Sequence, residues 1–268
     1  MNYHSLPEKY HVAHATCWSL VGQIEDFITN DNFNGLRVQT FQGLDINKDE
    51  HPFDALVRNG MQKEHDSLVQ KQVLNGLLMD ICYFLQEALV CSTKKRLTVT
   101  MALIRKPFLY NLLVILRMTF DADFNKDFNE TEGYDPTSMG VDDKKTLIKW
   151  STRILLLSKS LKEEEIFDYI FSKEGDSILN MSDKALHLST TRNKNNLSGK
   201  QNFNYLFATS DNIEQLWEYL YQRLPTLLLY LNEVIDFAVF TCLKVDDSIK
   251  KDRILMRGEI LKKYVDNN

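Results

Sequence analysis

Residues 69–115 read VQKQVLNGLLMDICYFLQEALVCSTKKRLTVTMALIRKPFLYNLLVI. Val69, Val73, Leu77, Ile81, Phe84, Ala88 and Cys91 recur at steps of three and four, which places them on one stripe of a long helix. The spacing predicts that helix over 54–91. Ser92-Thr93-Lys94-Lys95 interrupts the pattern. A second stripe, Leu97, Met101, Ile104, Phe108, Leu112 and Ile115, predicts a helix over 97–120, with a kink or a lost backbone bond at Pro107. A connection this short makes neighbouring helices pack as an antiparallel hairpin. Residues equidistant from its turn then share a level, which sets Asp80 opposite Arg105 to Pro107.

Three charged residues fall on these stripes. Asp80 and Glu87 lie one heptad apart on the first helix, and Arg105 lies on the second. A buried charge without a partner costs several kcal/mol, so an Asp80–Arg105 ion pair is expected across the hairpin. Such a pair is either a device that fixes helix register or part of a polar pocket. In the second case Asp80, Glu87, Arg105 and Lys106 face a ligand or phosphate.

Outward from the hairpin, helical stripes continue. Tyr10, His14, Cys17, Val21, Ile24 and Ile28 predict a helix over 7–30. Leu147, Trp150, Ile154, Leu157 and Leu161 predict another, capped by Asp142 or Asp143. A capping-box pattern at Ser160 to Glu163 opens a helix holding Ile166, Phe167, Ile170 and Phe171. Asp211 with Glu214 offers a cap for a helix that carries its stripe from Ile213 to Ala238 across Pro225, where a kink rather than an end is expected. A last helix covers 249–265; its Lys250, Lys251, Arg253, Arg257, Lys262 and Lys263 are interleaved with acids and read as a solvated face. Large loops fall near 31–52, 121–141 and 183–209, the first with one possible short strand at Leu36 to Phe41. The expected fold is all-α: an irregular bundle of six to eight helices built around the hairpin, in a single domain over 1–268. The low counts of Gly (10) and Pro (5) disfavour a turn-rich sandwich or barrel and a doubly wound sheet.

Composition excludes some functions. With 32 Lys+Arg against 37 Asp+Glu the formal charge is −5, so nucleic-acid binding over the whole surface is disfavoured. The four cysteines include no CxxC, which suits a reducing, cytoplasmic location. The apolar stretch 224–243 is interrupted by Asn232, Glu233 and Asp236, so it reads as a core helix of a soluble protein with no membrane span. No nucleophile elbow, HExxH, P-loop or GxGxxG occurs, and no cofactor or metal is implied. His11 and His14 are three apart, but further metal ligands are lacking. His14 reads as a hydrogen-bonded core histidine, and His65 continues the stripe of the long helix. His187 and Arg192 are loop candidates.

Two segments carry a resemblance. Ala102 to Phe108 with Asn111 to Leu113, and Ala185 to Asn193 with Asn202 to Asn204, resemble segments of poorly characterised bacterial all-helical proteins. Some proteins of this look belong to the HEPN superfamily, whose hallmark is Arg, a polar residue, a few variable residues and then His. Arg192-Asn193 begins in that way, but no histidine follows it. Arg58-Asn59 with His65 is the better match. The resemblance implies an RNA-acting or nucleotide-binding enzyme in which Arg58 holds phosphate and His65 is the general acid and base. The strong core stripes without a catalytic constellation point first to a non-enzymatic protein that binds a protein partner or itself. The small-molecule pocket between the long helices is a further alternative.

Overall fold

Pro107 has no amide hydrogen, so a helix that runs through it loses a backbone bond. The chain responds by widening for one turn. Pro107–Asn111 is a π-helix, and the Leu112 amide reaches back five residues to the Pro107 carbonyl. This turn joins α4 (Leu97–Lys106) to α5 (Leu112–Phe120), so the second long helix continues in three pieces.

In the computed structural model, residues 3–189, 204 and 209–266 are described. Among them there are eleven α-helices and no strand. The chain is all-α as expected but more finely divided than six to eight helices. The remaining helices are α1 (His11–Thr29), α2 (Pro52–Arg58), α3 (Gln62–Thr93), α6 (Phe124–Glu130), α7 (Val141–Ser151), α8 (Glu163–Ile170), α9 (Ile178–Leu186), α10 (Ser210–Cys242) and α11 (Asp247–Asp266). Helix α1 packs against α3, α10 and α11; α4 lies against both α3 and α9; α5 lies against α7 and α10. The buried apolar side chains form a contiguous core from Leu6 to Val239.

Several boundaries differ from expectation for local reasons. The helix expected over 54–91 is two helices, because Gly60 takes a φ of 74° and ends α2. No strand forms at Leu36 to Phe41; a 3-10 turn, Asp31–Leu36, occupies the start of that loop, with the Asn30 side chain accepting the Asn32 amide. The loop near 121–141 contains α6. The helix after Gly140 stops at Ser151, because the next segment turns away to the buried Glu233, leaving Trp150 and Leu157 exposed. Asp142 and Asp143 sit in its first turn and do not cap it. The cap of α8 lies two residues later than the pattern predicts, with the Glu165 carboxylate accepting the Lys162 amide at 2.9 Å. Thr209 and Asn212 cap α10, while Glu214 is taken by Lys9 and Tyr10. Helix α10 does not end at Pro225, as expected.

The buried polar residues of α10 each have a partner. Glu233 accepts the amides of Leu156 (3.0 Å), Leu157 (2.7 Å) and Ser158 (3.1 Å), and the Ser158 hydroxyl. Asn232 donates to the Leu20 carbonyl of α1 at 3.1 Å. Asp236 is bridged by Arg253 at 3.0 Å and Arg257 at 2.6 Å. The sequence places both arginines on a solvated face; instead they turn inward, and Arg257 is only 1% exposed. Arg253 also pairs with Asp26 at 2.9 Å and stacks 3.8 Å from the Phe27 ring. Helix α11 is thus held by charge as well as by Ile249, Ile260 and Tyr264 against the core, while its Leu255 and Met256 face outward, 58% exposed.

Among the described residues three segments, Gln62–Thr93, Leu97–Phe120 and Ser210–Cys242, are long and apolar enough by length and composition to cross a membrane. Their most apolar windows are 39%, 67% and 78% buried in the bundle, respectively.

Candidate functional site

The hairpin brings positions equidistant from its turn side by side. Thr100 Oγ1 donates to the Ala88 carbonyl at 3.2 Å, and Lys106 Nζ to Asp80 Oδ1 at 2.8 Å. The level expected for Asp80 is therefore right, but the partner is not: the ion pair is Asp80–Lys106, and no Asp80–Arg105 pair forms. Asn111, inside the π-turn, donates to the other Asp80 oxygen at 2.7 Å. Lys106 also lies 4.8 Å from the Phe84 ring. This pair is partly open to solvent, with Lys106 and Asp80 side chains 46% and 28% exposed, so it is not the buried register device expected.

Arg105 points the other way, to α9. Its Nη1 binds the Asp183 carboxylate and donates to Ser182 Oγ at 3.0 Å, and its Nε donates to Tyr110 at 3.3 Å. There it lines a cavity of about 420 Å³ between α4, the π-turn, α7, α8 and α9. Tyr110, Lys144, Phe167, Phe171 and Lys173 line the same space. Lys144 lies 5.3 Å from the Phe171 ring. Burial, and then the neighbouring Lys173 charge, push the Lys144 ammonium below its ordinary pKa. The pocket expected from Asp80, Glu87, Arg105 and Lys106 thus does not assemble as one site: only Arg105 reaches this cavity. The residues that sequence reasoning missed, Lys144 and Lys173, lie 39 and 68 positions beyond Arg105, and their stripes carried no signal of convergence.

The other candidates are dispersed. Arg58 binds Glu50 through Nε (2.8 Å) and Nη2 (2.9 Å), with Asp45 at 3.6 Å. The hydrogen bond from Arg58 holds the Glu50 carboxyl at about 2, well below its usual range. His65 Nδ1 is 2.9 Å from Asp66 Oδ1, and its ring meets Phe53 edge-on. Glu87 is exposed and makes no ion pair or hydrogen bond among the described residues. His187 is exposed at the end of α9, its amide donating to the Asp183 carbonyl at 3.0 Å. Arg192 lies outside the described residues.

His14 is a buried core histidine, as expected. Its Nδ1 is 2.8 Å from the Tyr221 hydroxyl, which is 2.6 Å from Ser92 Oγ. Ser92 donates to the Leu89 carbonyl at 2.7 Å, so it accepts from Tyr221. Tyr221 then accepts from His14, which fixes the neutral Nδ1–H tautomer. Burial, with a smaller push from His11, lowers the His14 pKa to about 4. His11 turns instead to the Leu6 carbonyl at 2.9 Å, so the two histidines do not share a ligand position.

A larger surface feature runs along the outside of the hairpin. The core face of α3 is Leu68, Leu74, Leu78, Ile81, Cys82 and Leu85. Val69, Val73, Leu77 and Phe84, expected in the core, are only partly covered, and Tyr83 beside them is 58% exposed. On α4, Val99 is 46% exposed and Leu103 is partly covered. Beside its buried face α3 therefore keeps a partly covered apolar flank, which Asp80 and Glu87 interrupt. Neither the known protein-family models, nor the curated proteins, nor the solved structures contain a match to this chain.

Proposed function

We propose that this chain is a soluble, non-enzymatic, cytoplasmic protein of the bacterial type it resembles, and that it associates with a second copy of itself through the outer face of the α3–α4 hairpin. One observation carries the proposal: the most apolar window of α3 is only 39% buried, with Val69, Val73, Leu77 and Phe84 partly covered beside the exposed Tyr83 and Val99. Apolar surface left open in this way marks an interaction site. A second copy is the occupant because a two-fold axis across the middle of α3, near Asp80, lays this face against itself, as a self-complementary contact requires. Among the described residues the only ion pair within that span, Asp80–Lys106, is already closed, so the face brings no uncompensated charge to its own copy there.

Sedimentation of the chain over a concentration series tests this. Wild type is expected to reach twice the chain mass, and Tyr83→Arg or Val99→Asp to weaken the dimer by about tenfold or more. A monomer throughout, or a dimer indifferent to both substitutions, overturns it. Flotation of the chain with phosphatidylcholine vesicles would overturn the soluble assignment. The HEPN-like alternative stands second, because it needs Arg58 to leave Glu50 and His65 to leave Asp66. It predicts RNA cleavage that His65→Ala abolishes.

A further inference from the structure

We infer that the cavity between α4, α7, α8 and α9 is a binding site for a small organic anion, an apolar body bearing one carboxylate or phosphate, with Lys144 as its counter-charge. Lys144 is partly buried and lines the cavity, and its ammonium makes no hydrogen bond or ion pair among the described residues. A desolvated ammonium without an anion is unfavourable unless something else supplies one. Its ammonium lies 5.3 Å from the Phe171 ring, which partly offsets the lost hydration, while the nearby Lys173 adds a like charge. The adjacent Lys145 differs: it lies over Phe167 and belongs to a separate depression that Glu163, Glu164 and Asp168 line.

The walls fit the rest of such a ligand. Tyr110, Phe167 and Phe171 supply aromatic surface, and the volume of about 420 Å³ lies within the range of small-molecule sites, roughly 300–1,000 Å³. Arg105 is locked by Ser182, Asp183 and Tyr110 before any ligand arrives, which makes that wall preorganised. Glu174, at the turn after α8, is the single acid among the described lining residues, against Arg105, Lys144 and Lys173. Neither a free inorganic anion nor a neutral apolar molecule uses both halves of this surface.

Calorimetric titration of the full chain tests the assignment with three probes of one shape: 2-naphthoate, 2-naphthyl phosphate and the neutral 2-naphthamide. At least one of the anions is expected to bind saturably at one per chain, and the amide about tenfold more weakly or less, the usual margin of one charge-assisted contact. Which anion binds tells carboxylate from phosphate as the group recognised. Lys144→Met keeps the stem and removes the charge; it should weaken the anion about tenfold or more. Lys144→Arg should retain binding, and unchanged helical circular dichroism in both variants establishes that they are folded. The assignment is overturned if neither anion saturates at millimolar concentration, if the amide binds as well as the acids, or if Lys144→Met binds like wild type.

Discussion

His14 is neutral because of where it sits and because of what it faces. Its folded pKa of about 4 lies below the ordinary value of 6.5. The native state therefore binds fewer protons than the unfolded chain between those values, and stability falls as the pH drops from 6.5 toward 4. The loss amounts to about 3 kcal/mol when complete, and nothing is lost above pH 7. Urea midpoints of wild type and His14→Phe at pH 7 and pH 4.5 check this: the difference between the two proteins should shrink or reverse on acidification. Tyr221→Phe leaves His14 and Ser92 without their shared hydroxyl and should cost about 1–3 kcal/mol at pH 7. That His14 is a core residue was legible from its place on the α1 stripe. Its partner was not, since Tyr221 is 207 residues away and nothing local encodes the meeting.

The hairpin shows what spacing alone can and cannot specify. Level along a helix depends on the rise per residue, roughly 1.5 Å, while direction turns by about 100° at each step. Arg105 and Lys106 are thus nearly level but point to different neighbours, Lys106 to α3 and Arg105 to α9. Counting from the turn located the site of the pair and missed its member. Because the Asp80–Lys106 pair is partly solvated, Lys106→Met should change stability by no more than about 1 kcal/mol in chemical denaturation. Asp236 behaves oppositely. It neutralises two buried arginines, so Asp236→Ala should destabilise by about 3–5 kcal/mol and raise amide exchange along α11. The charges of α11 were visible in the sequence, but their interleaving with acids looks the same whether the arginines face in or out. The carboxylates of the apolar stretch 224–243 were the available signal, since a buried acid requires a cation or several donors. Glu233 takes the donor solution: Glu233→Gln should cost about 2 kcal/mol and loosen the 155–158 segment, again by amide exchange.

The assembled chain leaves an imbalance that no single helix discloses. Periodicity assigned one apolar stripe of α3 to the core; its Ile81, Ala88 and Cys91 are buried there, whereas Val69, Val73, Leu77 and Phe84 are only partly covered, because the core centres on Leu74, Leu78 and Leu85 beside them. The apolar sector of α3 is wider than one neighbour can cover, so the pattern could not locate its centre; the packing of α1 and α4 does. The all-helical class and the positions of most helices were legible because their stripes are long. The breaks were less so, since Gly60, the π-turn and the segment held by Glu233 depend on backbone geometry or distant donors. The anion cavity was illegible for a similar reason, being built from four helices whose lysines look like ordinary surface charges. The unused α3 face predicts an oligomer, and solvent access to that face reports on it directly. Hydroxyl-radical footprinting of the native chain across a dilution series should show Tyr83 oxidised more slowly at high concentration, while Met256, also 58% exposed, keeps a constant rate. Equal oxidation of Tyr83 at every concentration would contradict the proposed self-association.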